Sequence, residues 1–211
     1  MNETQRAAAE RLAEAPRVLV ACEYSGRVRD AFSAAGCDAW SCDLLESETA
    51  GQNYIGDVRD MLTQPWDLMI AHPPCTYLTN AGARWWPGRQ QEQAEALAFV
   101  RLLLDAPIER IALENPPGRI GSQIRKADQY IHPWEHGHME TKATGLWLKN
   151  LPPLKPTHDV REAMDTLPKS EKHRVHWMKP GPDRWKERSR TYTGIAHAMA
   201  QQWAPLLRTS T

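Results

Sequence analysis

Four short apolar runs restrict what this 211-residue chain can fold into more than any other feature: "RVLVAC" at 17–22, "CDAWSCD" at 37–43, "DLMIA" at 67–71 and "RIALE" at 110–114. Each is too short for a packed helix, and three of them are apolar almost without interruption, the pattern of a strand covered on both sides. Helical stretches lie between them, "GRVRDAFSAAG" at 26–36, closed by Gly36, and a longer one at 89–105. Strands and helices alternating in this way predict an α/β fold, with a mostly parallel sheet and helices on both faces. In such sheets ligands lie outside the carboxyl ends of the strands, so the residues just past each run matter most.

The length suits one full-sized domain, expected to span 1–211. Within it we expect an N-terminal part (1–16) with a helix at 3–14 stopped by Pro16, and then a core at 17–127. An irregular, basic segment follows at 128–190, with strand candidates "QYIHPW" and "GLWLK". A closing helix in 191–211 repeats Ile195, Met199 and Trp203 at every fourth position. Lys plus Arg equals Asp plus Glu at 26 each, so no overall positive field announces nucleic acid. The excess is local: residues 168–190 carry eight Lys or Arg against three acids, a net of 8 − 3 = +5. Four cysteines without a C-x-x-C pair, no export signal and no apolar run of membrane length lead us to expect a soluble, cytoplasmic protein. No membrane contact and no obligatory protein partner are expected.

"DLMIA" runs directly into "HPPC" at 72–75. Proline cannot donate to a sheet ladder and fixes φ, so Pro73 and Pro74 end the strand, stiffen the chain where a ligand would lie and hold Cys75 at the rim. "RIALE" ends in the same manner, in "ENPPG", which brings the carboxyl of Glu114 to the same edge. Alone, a free cysteine is usually core packing and a Glu after a strand is usually solvated. In this order, each braced by prolines, they point to a thiol and an acid serving one site.

On these residues the chain resembles the cytosine-5 DNA methyltransferases. Pro74 and Cys75 match that family's catalytic Pro-Cys, and Glu114 and Asn115 match its Glu-Asn motif. It is similar more closely still to small phage and prophage proteins labelled DNA cytosine methyltransferase, through "VLVACEYSG", "WDLMIAHPPCTYL", "ALENPPG", "KATGLWLKNLPPL" and "DRWKERSRTYTGIAHAMA". The resemblance implies a Rossmann-like, S-adenosyl-L-methionine-dependent methyltransferase sheet, with DNA as partner. It also implies that Cys75 adds to carbon 6 of cytosine while Glu114 donates to ring nitrogen 3. For that chemistry Glu114 is expected to hold a proton when substrate is bound, and Cys75 to be shifted toward thiolate.

Carried over residue by residue, the cofactor would be met by the first loop, Glu23, Tyr24, Ser25 and Gly26, by Pro73, by Asp43 on the ribose hydroxyls and by Asp57 on the adenine. Asp43 and Asp57 read equally well as helix caps. Pro74, Thr76 and Asn115 would lie against the substrate; Thr76 stands where the family usually has Gln. The family's Gln-x-Arg-x-Arg motif corresponds to "ETKAT", which puts Lys142 on the cytosine carbonyl without the arginine fork, and Thr144 in the second place. Only about 34 residues (150–183) separate "GLWLK" from "DRWKERSR", too few for a separate target-recognition domain. Trp177, Arg184, Arg188 and Arg190 in the basic segment, with Trp185 and Tyr192, would track phosphates and stack bases, or form an ordinary solvated loop.

Three rival activities remain open: an amino-group methyltransferase, disfavoured by His72 and Cys75 around the prolines; the same cytosine chemistry on a free nucleotide or a single strand; and an inactive cofactor-binding protein. His132, His136 and His138 with Glu135 lack a zinc spacing, so no metal is expected and these histidines read as polar surface.

Overall fold

The computed structural model describes residues 15–208, with Trp85 by its backbone alone. The helix expected at 3–14 lies outside the described residues. Seven strands form one sheet: β1 (Arg17–Ala21), β2 (Asp38–Asp43), β3 (Asn53–Ile55), β4 (Leu68–Ala71), β5 (Arg110–Asn115), β6 (Gln129–Ile131) and β7 (Thr144–Lys149). Their order is β3-β2-β1-β4-β5-β7-β6. From β3 to β5 every pairing is parallel; β7 runs antiparallel to both β5 and β6. The protein is therefore a mixed α/β structure with a mostly parallel sheet. Its order agrees with dinucleotide-binding sheets as far as β5 and departs from them where the reversed β7 enters beside it.

The four apolar runs become β1, β2, β4 and β5 with ends displaced by at most one residue. They are buried on both faces, and their alternate residues supply two cores. Val18, Val20, Leu68, Ile70 and Ala112 pack under α1 (Arg27–Ala34) and the C-terminal helix, with Phe32, Ile195, Met199 and Trp203 filling the layer. Leu19, Met69, Ile111 and Leu113 face the other way, toward Val100 and Leu103 of α2 (Gln90–Leu104) and Ile120 of α3 (Arg119–Gln123). Trp203 is fully buried and its indole N–H donates to Pro152 O at 3.0 Å, so the closing helix is fixed by shape and by one directed bond.

Two expectations change here. "QYIHPW" is strand only through Ile131, because Pro133 opens a 3-10 turn, Pro133–Glu135. The basic segment is not an irregular loop: it folds into α4 (Arg161–Asp165), α5 (Lys169–Lys172), α6 (Arg174–Trp177) and α7 (Arg184–Ser189) before α8 (Thr193–Trp203) closes the chain. No helix among the described residues is long and apolar enough to cross a membrane.

Candidate active site

The proline brackets do what their positions promise. His72 N–H makes one further parallel link, to Ala21 O at 2.9 Å, and the chain then leaves the ladder at Pro73. Asn115, 1% exposed, donates its Nδ2 to Pro73 O at 2.8 Å and so ties the end of β5 to the end of β4. Beyond Cys75 the chain turns back at once, with Cys75 O accepting from Leu78 N at 3.0 Å and Thr79 N at 2.9 Å. Asn80 N to Pro117 O (3.0 Å) and Arg119 N to Leu78 O (2.8 Å) then stitch this loop to "PPG". Gly118 is needed for the approach, since a Cβ there would lie 1.9 Å from Leu78 O. Pro74 and Thr76 are exposed beside Cys75, whereas Pro73 is buried.

Cys75 and Glu114 meet electrostatically at this rim, together with two cations from distant chain. Burial pushes the Cys75 thiol up and the Glu114 carboxylate adds to the rise, while Lys142 and Arg188 oppose it. Burial would also raise Glu114, but the His72 hydrogen bond, the Lys142 charge and a hydrogen bond with Thr144 outweigh it and hold the carboxyl below the usual range. The surroundings thus favour the thiol at Cys75 and the carboxylate at Glu114, the opposite directions to those expected for the chemistry. Neither residue stands alone in the fold: β7 lies against β5 with Glu114 opposite Leu146 and Asn115 opposite Gly145, which brings Thr144 and the preceding Lys142 to the site.

Lys142 is not a free charge. Its Nζ donates to Arg188 O at 3.0 Å and lies 5.7 Å from the Tyr192 ring centre, so it fastens the end of α7 over the rim. The Arg188 charge acts on Cys75 and favours its thiolate, and the Arg188 side chain makes no hydrogen bond or ion pair among the described residues. Within the basic segment it is the cation whose charge is felt at the thiol.

The side chains of the first loop make hydrogen bonds within the protein. Glu23 is 5% exposed and its carboxylate accepts from Val28 N (2.7 Å) and Arg29 N (3.2 Å), capping α1, while Ser25 Oγ donates to it at 3.1 Å. Tyr24 is 7% exposed and turns its hydroxyl to Lys186 O at 2.6 Å and to Ser189 Oγ at 3.2 Å, under α7. Gly26 has φ 71° and packs on Thr49 and Arg29. These side chains are engaged by the protein, and the loop's remaining offer to a ligand is its backbone. Asp43 and Asp57 both act on the Cys22 thiol at the end of β1, which burial and these two acids push up. Asp43 caps Leu45 N at 3.0 Å and burial raises its carboxyl. Asp57 caps a 3-10 turn through Arg59 N at 2.9 Å and pairs with Arg59 Nη1 at 2.6 Å, which holds its carboxyl down.

Most of the cations expected to meet phosphate are occupied. Arg190 pairs with Glu48 through Nε (2.8 Å) and Nη2 (2.6 Å), and also with Glu187. Arg184 Nε donates to Met178 O at 2.9 Å. Trp177 and Trp185 remain half exposed, and Trp185 also packs against Tyr24 with ring centres 5.7 Å apart. His136 corrects the surface reading of the histidines: it is 3% exposed and its Nδ1 lies 3.0 Å from Thr157 Oγ1. Among the described residues no group of three or more His, Cys, Asp or Glu is placed to hold a metal ion.

Sequence reasoning gave His72 no positive role, although it directly precedes the prolines. The Glu48 and Tyr24 latches carry no local signal at all, because their partners lie more than 140 residues away. No protein-family model and no curated protein matches the chain. What fold and geometry define is a class: an α/β protein with a thiol and acid site at the carboxyl edge of its sheet.

Proposed function

We propose that this chain transfers a methyl group from S-adenosyl-L-methionine to carbon 5 of cytosine in DNA, through a covalent adduct at Cys75. The observation that carries the reading is the convergence of Cys75, Glu114, Lys142 and Arg188 on one rim at the ends of β4 and β5. Asn115 and the prolines lock the two strand ends together there. The Cys75 sulfur bonds carbon 6 of the ring as Glu114 protonates nitrogen 3, and the electron pair collects at carbon 5. Lys142 and Arg188 favour the thiolate in which Cys75 must react. Once carbon 5 carries the methyl, loss of its proton expels the sulfur, and nitrogen 3 gives its proton back to Glu114, which restores the ring.

The residues present fit a phosphate-free cofactor. In dinucleotide folds the pyrophosphate takes the first amides of the helix after β1; here the Glu23 carboxylate already takes them. A second anion is excluded from that place. Asp43 stands at the end of β2 where an acid can accept from ribose hydroxyls, beside the switch point between β1 and β4. When bound, the cofactor supplies an electrophilic methyl on a sulfonium centre. A Rossmann-like methyltransferase sheet belongs to the same reading, and the order β3-β2-β1-β4-β5 supports it.

The engagement of Arg190 and Arg184 within the protein favours a second reading, the same chemistry on a single strand or a free cytosine nucleotide, because fewer cations are left to grip duplex phosphates. Nucleoside mass spectrometry of DNA and RNA from a host without cytosine methylation tests both. 5-Methylcytosine in DNA with the wild type but not with Cys75→Ala is the expected result. An unmodified polymer pool with methylation of added dCMP selects the second reading; methylated amino groups overturn the carbon 5 chemistry.

A further inference from the structure

We propose that α7 and the turn after it form a strap through which the cofactor end of the site positions the substrate end, with Tyr24 as the positioning residue, so that cofactor and cytosine substrate bind with positive coupling. The inference rests on the methyltransferase reading of the site. α7 has six residues, and Asp183 at its start makes no side-chain cap, which is too little for a helix to keep its own order. What fixes it comes from two loops. After β1, Tyr24 donates its hydroxyl to Lys186 O at 2.6 Å and packs its ring on Trp185, and Arg27 Nη1 donates to Thr191 O at 2.9 Å. After β2, Glu48 takes Arg190 through hydrogen bonds of 2.8 and 2.6 Å. The two loops act as one body. Glu48 N donates to Tyr24 O at 2.8 Å, and the fully buried Arg29 of α1 donates to Ser47 Oγ (3.1 Å), Thr49 O (3.2 Å) and Ala50 O (3.1 Å).

The far side of the strap meets the catalytic rim, where Lys142 Nζ donates to Arg188 O at 3.0 Å. Residues 185–191 thus stand between the loops after β1 and β2, to which the cofactor is assigned, and the ends of β4 and β5, which carry Cys75 and Glu114. Two states follow. With α7 latched, Tyr24 is 7% exposed and its hydroxyl has an acceptor; with α7 released, Tyr24 loses that acceptor and the Trp185 ring, and Glu48 loses its cation. The loop after β1 then loses the cover that keeps it in one conformation, and that conformation begins at Cys22 with φ 59°, a left-handed value that is costly outside glycine. A cofactor lying on the backbone of this loop binds the latched state more tightly and shifts the population toward it. By linkage, a substrate held between α7 and the rim gains the same factor, whichever ligand arrives first.

Two experiments test this, both with S-adenosylhomocysteine, the demethylated cofactor, so that neither needs turnover. In hydrogen exchange of the wild type, saturating S-adenosylhomocysteine is expected to slow the amides of 22–28 and also those of 184–192. In Tyr24→Phe, which keeps a ring against Trp185 and removes the hydroxyl, the first group stays slowed and the second is slowed far less. Protection of 184–192 that is absent in the wild type, or equal in the two proteins, overturns the strap. In calorimetry, binding of a cytosine-containing single-stranded oligonucleotide and of dCMP is measured with and without S-adenosylhomocysteine at a concentration that saturates each protein. The wild type is expected to bind at least one of the two about 10-fold more tightly with it, and Tyr24→Phe to keep less than about threefold. A latch that only stabilised the fold would leave this ratio unmoved, so an equal ratio in the two proteins, or no coupling in the wild type, overturns the proposal. A wild type in which S-adenosylhomocysteine protects no part of 22–28 overturns it together with the methyltransferase reading.

Discussion

The β4–β5 rim and the basic segment at 168–190 both drew attention in the sequence, and they are built on opposite plans. At the rim each loop follows its strand without a gap, and the contacts run between "HPPC" and "ENPPG", 114 − 75 = 39 residues apart. The basic segment takes its order from far away: Tyr24 holds Lys186 and Ser189, and Glu48 holds Arg190. A strand end declares itself in its own residues, whereas a cation declares only its charge. Whether that charge meets solvent, nucleic acid or a carboxylate of the same chain depends on partners that no local pattern names.

If the rim is the reacting centre, the largest effects come from it. Cys75→Ala is expected to abolish methyl transfer while leaving cofactor binding intact, read by single turnover and calorimetry; full activity in that variant would falsify the mechanism. Glu114→Gln is expected to lower turnover by about 10²- to 10⁴-fold, the usual weight of a positioned acid. Gly118→Ala attacks the scaffold instead. A Cβ only 1.9 Å from Leu78 O must push the two loops apart, at a cost of about 1–3 kcal/mol in urea unfolding together with a fall in turnover. A variant as stable and active as wild type would mean that the loops do not brace each other.

The same contrast explains what could be read in advance. β1, β2, β4, β5 and α2 were legible because burial on two faces or one stripe leaves a periodic apolar trace. β3 was not, since the three residues Asn53–Ile55 at the sheet edge are only partly covered and carry no such trace. The reversed entry of β7 was also hidden, because strand direction depends on a connection rather than on the strand's own residues. At the site, Cys75, Glu114 and their prolines were visible, but their protonation states were not. Those are set by Lys142, His72, Thr144 and Arg188, three of which arrive from other elements. Glu23 shows the same limit: a carboxylate near a ligand loop and a carboxylate capping a helix look alike until the helix start is fixed.

Charge inside the body and charge at the rim also separate on titration. Burial pushes Cys37 up to about 11 and Cys42 up to about 12. The folded protein thus favours the thiols, and the stability they contribute is full below the ordinary thiol range near 8.5 and drains as pH rises through the folded values. Each adds a slope approaching about 1.4 kcal/mol per pH unit in that window. The urea midpoint should fall above pH ~8.5, with a gentler slope in Cys37→Ala. At the rim, Glu114→Gln removes a negative charge from beside Cys75, so alkylation of Cys75 at pH 8 should accelerate severalfold, and Lys142→Met should slow it. Equal rates in all three proteins would detach the thiol from its neighbours.

The smallest expected effect sharpens the comparison most. The Arg190–Glu48 pair is 21% and 31% exposed, so its loss should cost only about 0.5–1 kcal/mol of global stability. A double-mutant cycle of Arg190→Ala and Glu48→Ala, followed by thermal unfolding, would measure that coupling. Its local consequence should be larger. With only Tyr24 and Lys142 left to hold α7, the segment at 168–190 should open more often, and limited trypsin digestion should cut there several times faster while the β4–β5 loops stay protected. Faster cutting in the segment alone would show that its order is borrowed from the first loop and the chain after β2. Equal protection of both regions would mean that α5, α6 and α7 hold themselves together, and the contrast between a locally built rim and a remotely latched cover would fail.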